Sequence, residues 1–246
     1  MTQITSHQNQ KLREIRKLRQ RRRWRERSGL FVAEGEDLLS VADAQGWTAI
    51  ERYAAAGSGL AGVEVEPSVL ASASGLGSGT RTLAVYEERW ADAPTGPLCV
   101  YLHGVHDPGN VGAVVRGAQA FGASSVALGP GTADPFSPKA VRASMGAVFA
   151  VPLIHAGLAD LPGIKIALVP GAGESLPELW RSGYVSVSSS ANGVTLMIGA
   201  EREGLPDDVV AGADHVAHIP IATDSLNAAM AATVALYEIS RRMAPE

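Results

Sequence analysis

Leu98-Cys99-Val100-Tyr101-Leu102-His103 runs into Gly104-Val105-His106-Asp107-Pro108-Gly109, then Asn110-Val111-Gly112-Ala113-Val114-Val115-Arg116-Gly117-Ala118-Gln119-Ala120-Phe121-Gly122. An apolar run of strand length feeds a Gly/Pro turn, and the turn feeds a helix. The pattern repeats downstream. Strands are predicted at about 98–103, 124–128, 165–169, 194–198 and 216–220. Helices are predicted near 110–121, 138–145, 175–181 and 225–242. Continuous apolar strands alternating with helices imply a parallel α/β sheet covered on both faces. Such sheets bind ligands at the carboxyl ends of their strands.

Upstream the pattern is different. Leu12, Ile15 and Leu18 recur at helical spacing in a basic background, predicting one amphipathic helix over 8–27 that Gly29 would close. Short strands are expected at 30–33, 47–54, 62–66 and 83–86, with a helix at 36–44 and a flexible loop at 71–79. Ala93-Pro94-Thr95-Gly96-Pro97 reads as a linker, which gives two domains, 1–95 and 96–246.

The charge is asymmetric. Residues 1–28 hold ten basic side chains against two acidic, a net +8, while the remainder is −12. A basic block of this size points to a polyanion such as RNA. The side chains expected to touch it are Lys11, Arg13, Arg16, Lys17, Arg19, Arg21, Arg22 and Arg23. Cys99 is alone and sits in an apolar strand, where a thiol is inert packing. No apolar stretch reaches the roughly 18 residues of a membrane span. The basic start is followed by no apolar leader core, so a cytoplasmic location is expected.

Three segments carry candidate chemistry. In the first, Asn110 and Arg116 are the polar residues of an otherwise apolar helix. Asn110 reads as a helix cap, and Arg116 needs an anion or water because burying it unpaired is costly. In the second, an apolar strand ends Leu196-Met197-Ile198-Gly199-Ala200-Glu201, followed by Arg202-Glu203-Gly204. In the third, His218-Ile219-Pro220-Ile221-Ala222-Thr223-Asp224-Ser225-Leu226-Asn227 leads into an alanine-rich helix. Asp224 or Ser225 would cap that helix, and Asn227 is not needed to form it. Its alanines imply a closely packed neighbour. The dinucleotide glycine fingerprint is absent, which argues against a nicotinamide enzyme. His103 with His106, and Asp214, His215 and His218, lack a third or fourth metal ligand, so no metal site is expected.

In this order and spacing the segments resemble the three motifs of the SpoU (TrmH) branch of the SPOUT RNA methyltransferases. Asn110, Gly112 and Arg116 match the first motif. Gly199, Glu201 and Gly204 match the second, and Ile219, Pro220, Ser225, Leu226 and Asn227 the third. Asp134-Pro135-Phe136 and Lys139 to Gly146, including Arg142, resemble the stretch between the first two. The likeness covers about 98–240. Residues 4–35 are similar to the substrate-binding domain that many SpoU enzymes carry, whose fold resembles a small ribosomal protein.

The resemblance implies a parallel-sheet SPOUT domain closed by a deep trefoil knot, with a smaller N-terminal α/β domain. It implies S-adenosylmethionine held by Gly199, Ile219 and Leu226, with Leu196, Ile198, Ala200 and Pro220 beside them. It implies a homodimer and methylation of a ribose 2′-hydroxyl, with 23S ribosomal RNA the preferred target. Arg116, Asn110, Glu201, Ser225 and Asn227 become the catalytic candidates, and Arg142 joins the RNA-binding set. Arginine stays protonated in proteins, so Arg116 suits a charge-assisted donor better than a base. Two departures stand out. The 219–225 loop is about two residues short of the family's usual length, and Asn227-Ala228-Ala229 replaces Asn-Val-Ser. A transfer RNA target and a non-catalytic RNA-binding role are the alternatives.

Overall fold

The computed structural model describes residues 3–75, 79–181 and 193–243. In chain order its first elements are α1 (Gln10–Gln20), α2 (Arg22–Ser28), β1 (Leu30–Glu34), α3 (Glu36–Ala44), β2 (Glu51–Ala55), β3 (Val63–Val65), α4 (Pro67–Ala73) and β4 (Thr82–Glu87). Next come β5 (Leu98–Leu102), α5 (Pro108–Ala120), β6 (Ser125–Leu128), α6 (Pro138–Ser144), β7 (Leu153–His155), β8 (Ile164–Leu168) and β9 (Glu174–Ser175). The last are α7 (Leu176–Arg181), β10 (Val194–Ile198), α8 (Asp207–Ala211), β11 (His215–His218) and α9 (Ala228–Met243). No helix among the described residues is long and apolar enough to cross a membrane.

The elements form two compact units. The first comprises residues 1–89 with 134–149, and the second 90–133 with 150–246. The first unit holds a four-stranded sheet in the order β1-β4-β2-β3, antiparallel except for the β2–β3 pair. Alternate strand residues point to opposite faces. Val32, Leu83 and Val85 pack with Leu12, Ile15 and Leu18 of α1 and with Val69 and Leu70 of α4. Phe31 and Tyr86 join an aromatic cluster with Trp47, Phe136 and Phe149, and Phe31 lies 4.7 Å from Phe136 between ring centres. Those two phenylalanines tie the 134–149 segment to this unit, although it follows β6 in the chain.

The single helix expected over 8–27 is two helices. Asn9 caps α1 by accepting from the Lys11 backbone N–H at 2.9 Å. Arg21 is extended (φ −125°, ψ 107°), and Gly29 closes α2 at φ +66°. The break has a physical use. It lets the buried Arg25 guanidinium fold back onto the Leu18 carbonyl (2.6 Å) at the orphaned carboxyl end of α1 while pairing with Asp134 (2.7 Å). Replacing Asn9 by alanine removes the α1 cap. It is expected to cost about 1 kcal/mol, read as a lower denaturant midpoint at unchanged slope. The loop expected at 71–79 is helical through Ala73, and residues 76–78 lie outside the described residues.

The second unit holds a seven-stranded sheet, β7-β6-β5-β10-β8-β11-β9, in which every pairing is parallel. The expected parallel sheet is present, with β7 and β9 as additional short edge strands and α8 as an additional helix. On one face Cys99, Tyr101, Ala127, Ala167 and Met197 meet Leu205 and Val209. Burial raises the Cys99 thiol's pKa, in keeping with inert packing. On the other side α5 packs against α9. A Cβ on Gly117 would sit 3.5 Å from Thr233 Oγ1 and 3.6 Å from Leu236, so α5 is the close neighbour that the alanines of α9 admit.

Candidate active site

The chain lays β6 and β7 on one side of β5 and β8, β10, β11 and β9 on the other. The crevice therefore opens at the carboxyl ends of β5 and β10, where the strand order reverses. A tight turn follows β10. Ala200 and Gly204 exchange backbone hydrogen bonds, both 3.0 Å, and Gly204 takes φ +69°. That fold-back lays Gly204 and Leu205 directly on Gly199. A Cβ there would lie 2.2 Å from the Gly204 carbonyl carbon and 2.3 Å from the Leu205 nitrogen. The two glycines thus have different causes, absence of space at 199 and a left-handed backbone at 204.

The turn presents Glu201 to a chain of side chains from all three segments. Asn110 Nδ2 donates to Glu201 Oε1 at 2.5 Å, and Asn227 Nδ2 donates to Asn110 Oδ1 at 3.0 Å. Two capping expectations are corrected here. Asp107, not Asn110, caps α5, accepting from Gly109 N–H at 2.6 Å with Pro108 in the first turn. Asn227, not Asp224 or Ser225, caps α9, its Oδ1 accepting from Ala229 (2.9 Å) and Met230 (3.2 Å). Capping fixes the Asn227 amide, and the amide's nitrogen is left to orient Asn110.

Beside this chain is a cavity of about 420 Å³. It is lined by Ile198, Gly199, Ala200, Glu201, Ile219, Ser225 and Leu226, which the sequence singled out. Leu168, Val169 and Pro170 at the end of β8 also line it, as do Arg202, Glu203, Gly204, Leu205, Asp207 and Ala231. The β8 residues were missed, although an apolar strand ending in proline beside the site-bearing strand was a usable signal. Leu196 is buried within β10 and Pro220 is exposed; neither lines the cavity. Among the described residues, the backbone N–H groups of Ile219 and of residues 221–227 make no internal hydrogen bond. Of these, Ile219, Ile221, Ser225 and Leu226 line the cavity, and free donors beside an apolar wall suit a flat heteroaromatic ring.

Arg116 does not line this cavity. It is exposed on α5 and makes no hydrogen bond or ion pair among the described residues. The exposed side of α9 carries Met230, Val234 and Tyr237, three large apolar side chains at helical spacing. Three of the residues weighed as metal ligands make contacts of their own. His103 Nδ1 is 3.0 Å from the Tyr101 hydroxyl, His218 Nδ1 is 3.2 Å from the Ala172 carbonyl, and Asp214 pairs with Lys165. Burial raises the pKa of Tyr101, aided by Asp208.

The SpoU rRNA Methylase family profile matches residues 97–237. An uncharacterized tRNA/rRNA methyltransferase of Synechocystis is 30% identical over 97% of this chain and 93% of its own. The 23S rRNA (guanosine(2553)-2′-O)-methyltransferase of Bacillus subtilis is 27% identical over 97% of this chain and 99% of its own. Several other curated relatives match over only part of their length, and the chain spans 30% to 50% of them. Among solved structures, an AdoMet-bound rRNA methyltransferase from Sinorhizobium meliloti superposes with a TM-score of 0.83. It is 29% identical, with 99% of each chain covered.

Proposed function

Because the chain belongs to the SpoU rRNA methylase family, we propose that it transfers a methyl group from S-adenosylmethionine to a ribose 2′-hydroxyl of ribosomal RNA. The observation that carries the reading is the Glu201–Asn110–Asn227 chain at the edge of the 420 Å³ cavity. The cavity fits the cofactor: it has nucleoside-scale volume, an apolar wall of Ile198, Leu205, Ile219 and Leu226, and free backbone donors at Ile219, Ile221, Ser225 and Leu226. Glu201, Glu203 and Asp207 line the cavity with one cation, Arg202, an acidic balance that suits a cationic ligand. When bound, S-adenosylmethionine supplies an electrophilic methyl whose leaving group needs no acid.

The protein's own task is to hold and polarise the hydroxyl. Asn110, fixed between Glu201 and Asn227, orients the ribose, and Ser225 adds a hydroxyl at the cavity wall. Arg116 donates to the oxygen as the hydroxyl proton passes to solvent water and negative charge develops on it. Its exposed position, in the same helix pair as the Met230–Val234–Tyr237 stripe, favours a homodimer in which the arginine serves the partner's cavity. The trefoil knot and a cytoplasmic setting belong to the same reading, as does 23S RNA as the target. The relative from Bacillus subtilis, matched over nearly its whole length, supports that target.

Incubating the protein with labelled cofactor and unmodified 23S or transfer RNA, then mapping alkali-resistant linkages, tests the proposal. One resistant linkage in ribosomal RNA is expected. Methylation that leaves every linkage hydrolysable would place the methyl on a base and overturn the ribose assignment. Calorimetric silence toward S-adenosylmethionine would favour a binding protein without catalysis.

A further inference from the structure

The ten cations of residues 1–28 are not equivalent. Lys11 pairs with Glu51, Lys17 with Glu14 at 2.7 Å, and Arg22 with Glu26 at 2.7 Å. Lys17 also lies 4.4 Å over the Trp24 ring. Arg19 is held by the buried Glu34 at 2.5 Å and donates to the Ala73 carbonyl at 2.6 Å. Arg25 is spent on Asp134 and the end of α1. Arg16 is tied to the His7 carbonyl at 2.8 Å and to Ser72. Four are left: Arg13, Arg21, Arg23 and Arg27 are exposed, and among the described residues they have neither a carboxylate nor any other partner.

Their positions follow from the helix geometry. Arg13 lies on the side of α1 away from the buried Leu12, Ile15 and Leu18. Arg23 and Arg27 are one turn apart on the solvent side of α2, away from buried Arg25. Arg21 is at the extended residue between the two helices. We infer that Arg13, Arg21, Arg23 and Arg27 form the surface that grips RNA phosphates, whereas the other cations of the segment are engaged within the protein, Arg19 and Arg25 in largely buried pairs. The inference rests on the RNA-methyltransferase reading.

The reason is electrostatic. A phosphate that docks on an ion-paired cation competes with the carboxylate already there and meets its negative charge, so it gains less. A free guanidinium offers an unoccupied donor fork and releases condensed counterions from the RNA when it docks. The exposed pairs Lys11–Glu51, Lys17–Glu14 and Arg22–Glu26 are each worth only about 0–1 kcal/mol. Removing their cations should therefore leave the protein folded, which makes them a usable control.

Two charge-matched triple variants separate the classes, with binding to an unmodified 23S RNA transcript followed across salt concentration. Arg13→Gln/Arg23→Gln/Arg27→Gln is expected to flatten the slope of log affinity against log salt by about 2–3 and to weaken binding by tenfold or more at low salt. Lys11→Gln/Lys17→Gln/Arg22→Gln should change the slope by less than about 1. Cofactor titration and thermal unfolding should match wild type in both. Equal losses in the two triples would overturn the assignment, because net charge alone would then account for binding. Should the first triple fail to fold, the single variants Arg23→Gln and Arg27→Gln decide, each expected to remove about one unit of slope. Wild-type protein that binds neither 23S nor transfer RNA transcripts would sink the RNA reading itself, a result distinct from equal losses.

Discussion

Arg116→Ala is expected to lower methyl transfer by about 10²–10³-fold while leaving S-adenosylmethionine affinity within about twofold. The magnitude is that of deleting one preorganised donor to a developing oxyanion. The insensitivity of cofactor binding follows from position, since Arg116 lies six residues beyond Asn110 on α5 and does not line the cavity. Six residues are about 9 Å along a helix, too far for Arg116 and Asn110 to act as one cluster by helix geometry alone. Both effects are readable on one preparation, turnover from label transfer and affinity from calorimetry. The proposed dimer gives a sharper readout. Mixed dimers of an Arg116→Ala chain and an Asn110→Ala chain should recover activity that neither homodimer has, provided the arginine serves the partner's cavity. An Arg116→Ala enzyme that methylates at near wild-type rate rejects the proposed role, whichever chain supplies the residue.

Much of the fold was legible because burial writes itself into composition. The strands β5, β6 and β10 are buried along their whole length, so they read as apolar runs broken only by Ser125 and Thr195. The edge strands β7 and β9 have three and two residues, too few for any period to register. The break at Arg21 was hidden for the opposite reason. Helix-favouring residues continue through it, and only Arg25's contact with Leu18 and Asp134, the latter 109 residues away, makes a bend worthwhile. The same remoteness conceals the 134–149 segment. Phe136 and Phe149 look like any core residues until Phe31 and Trp47 are brought against them.

At the site the sequence pointed to Asn110, Glu201 and Asn227, which the fold brings together, but two of their duties were not legible. Asp107 and Asn110 are both good capping residues, and Pro108 in the first turn decides for Asp107. That releases the Asn110 amide to bridge Glu201 and Asn227. The basic segment was legible only as a sum of charge. Which cations are free depends on carboxylates at 34, 51 and 134, which no local pattern connects to them.

Gly199→Ala is expected to abolish measurable cofactor binding and to cost about 4 kcal/mol of stability, beyond what most core substitutions do. The argument starts from the distance of 2.2 Å between a Cβ at this position and the Gly204 carbonyl carbon. The obstructing atoms are backbone, so no rotamer change relieves the overlap. Relief requires the Ala200–Gly204 pair of hydrogen bonds to open and the turn to move off β10. Opening that turn moves Glu201, which then loses Asn110, and the Asn110 amide is no longer held between Glu201 and Asn227. The wall formed by Ile198, Gly199 and Leu205 shifts with it. Gly204→Ala is the informative comparison. Nothing lies within 4 Å of a Cβ at 204, so its penalty is confined to the left-handed backbone at φ +69°, about 1–2 kcal/mol, with cofactor affinity reduced but measurable. Paired denaturation and calorimetric titrations of the two variants read the difference. Equal, mild effects at both positions would mean that the 199–205 turn yields easily and is not what shapes the cavity.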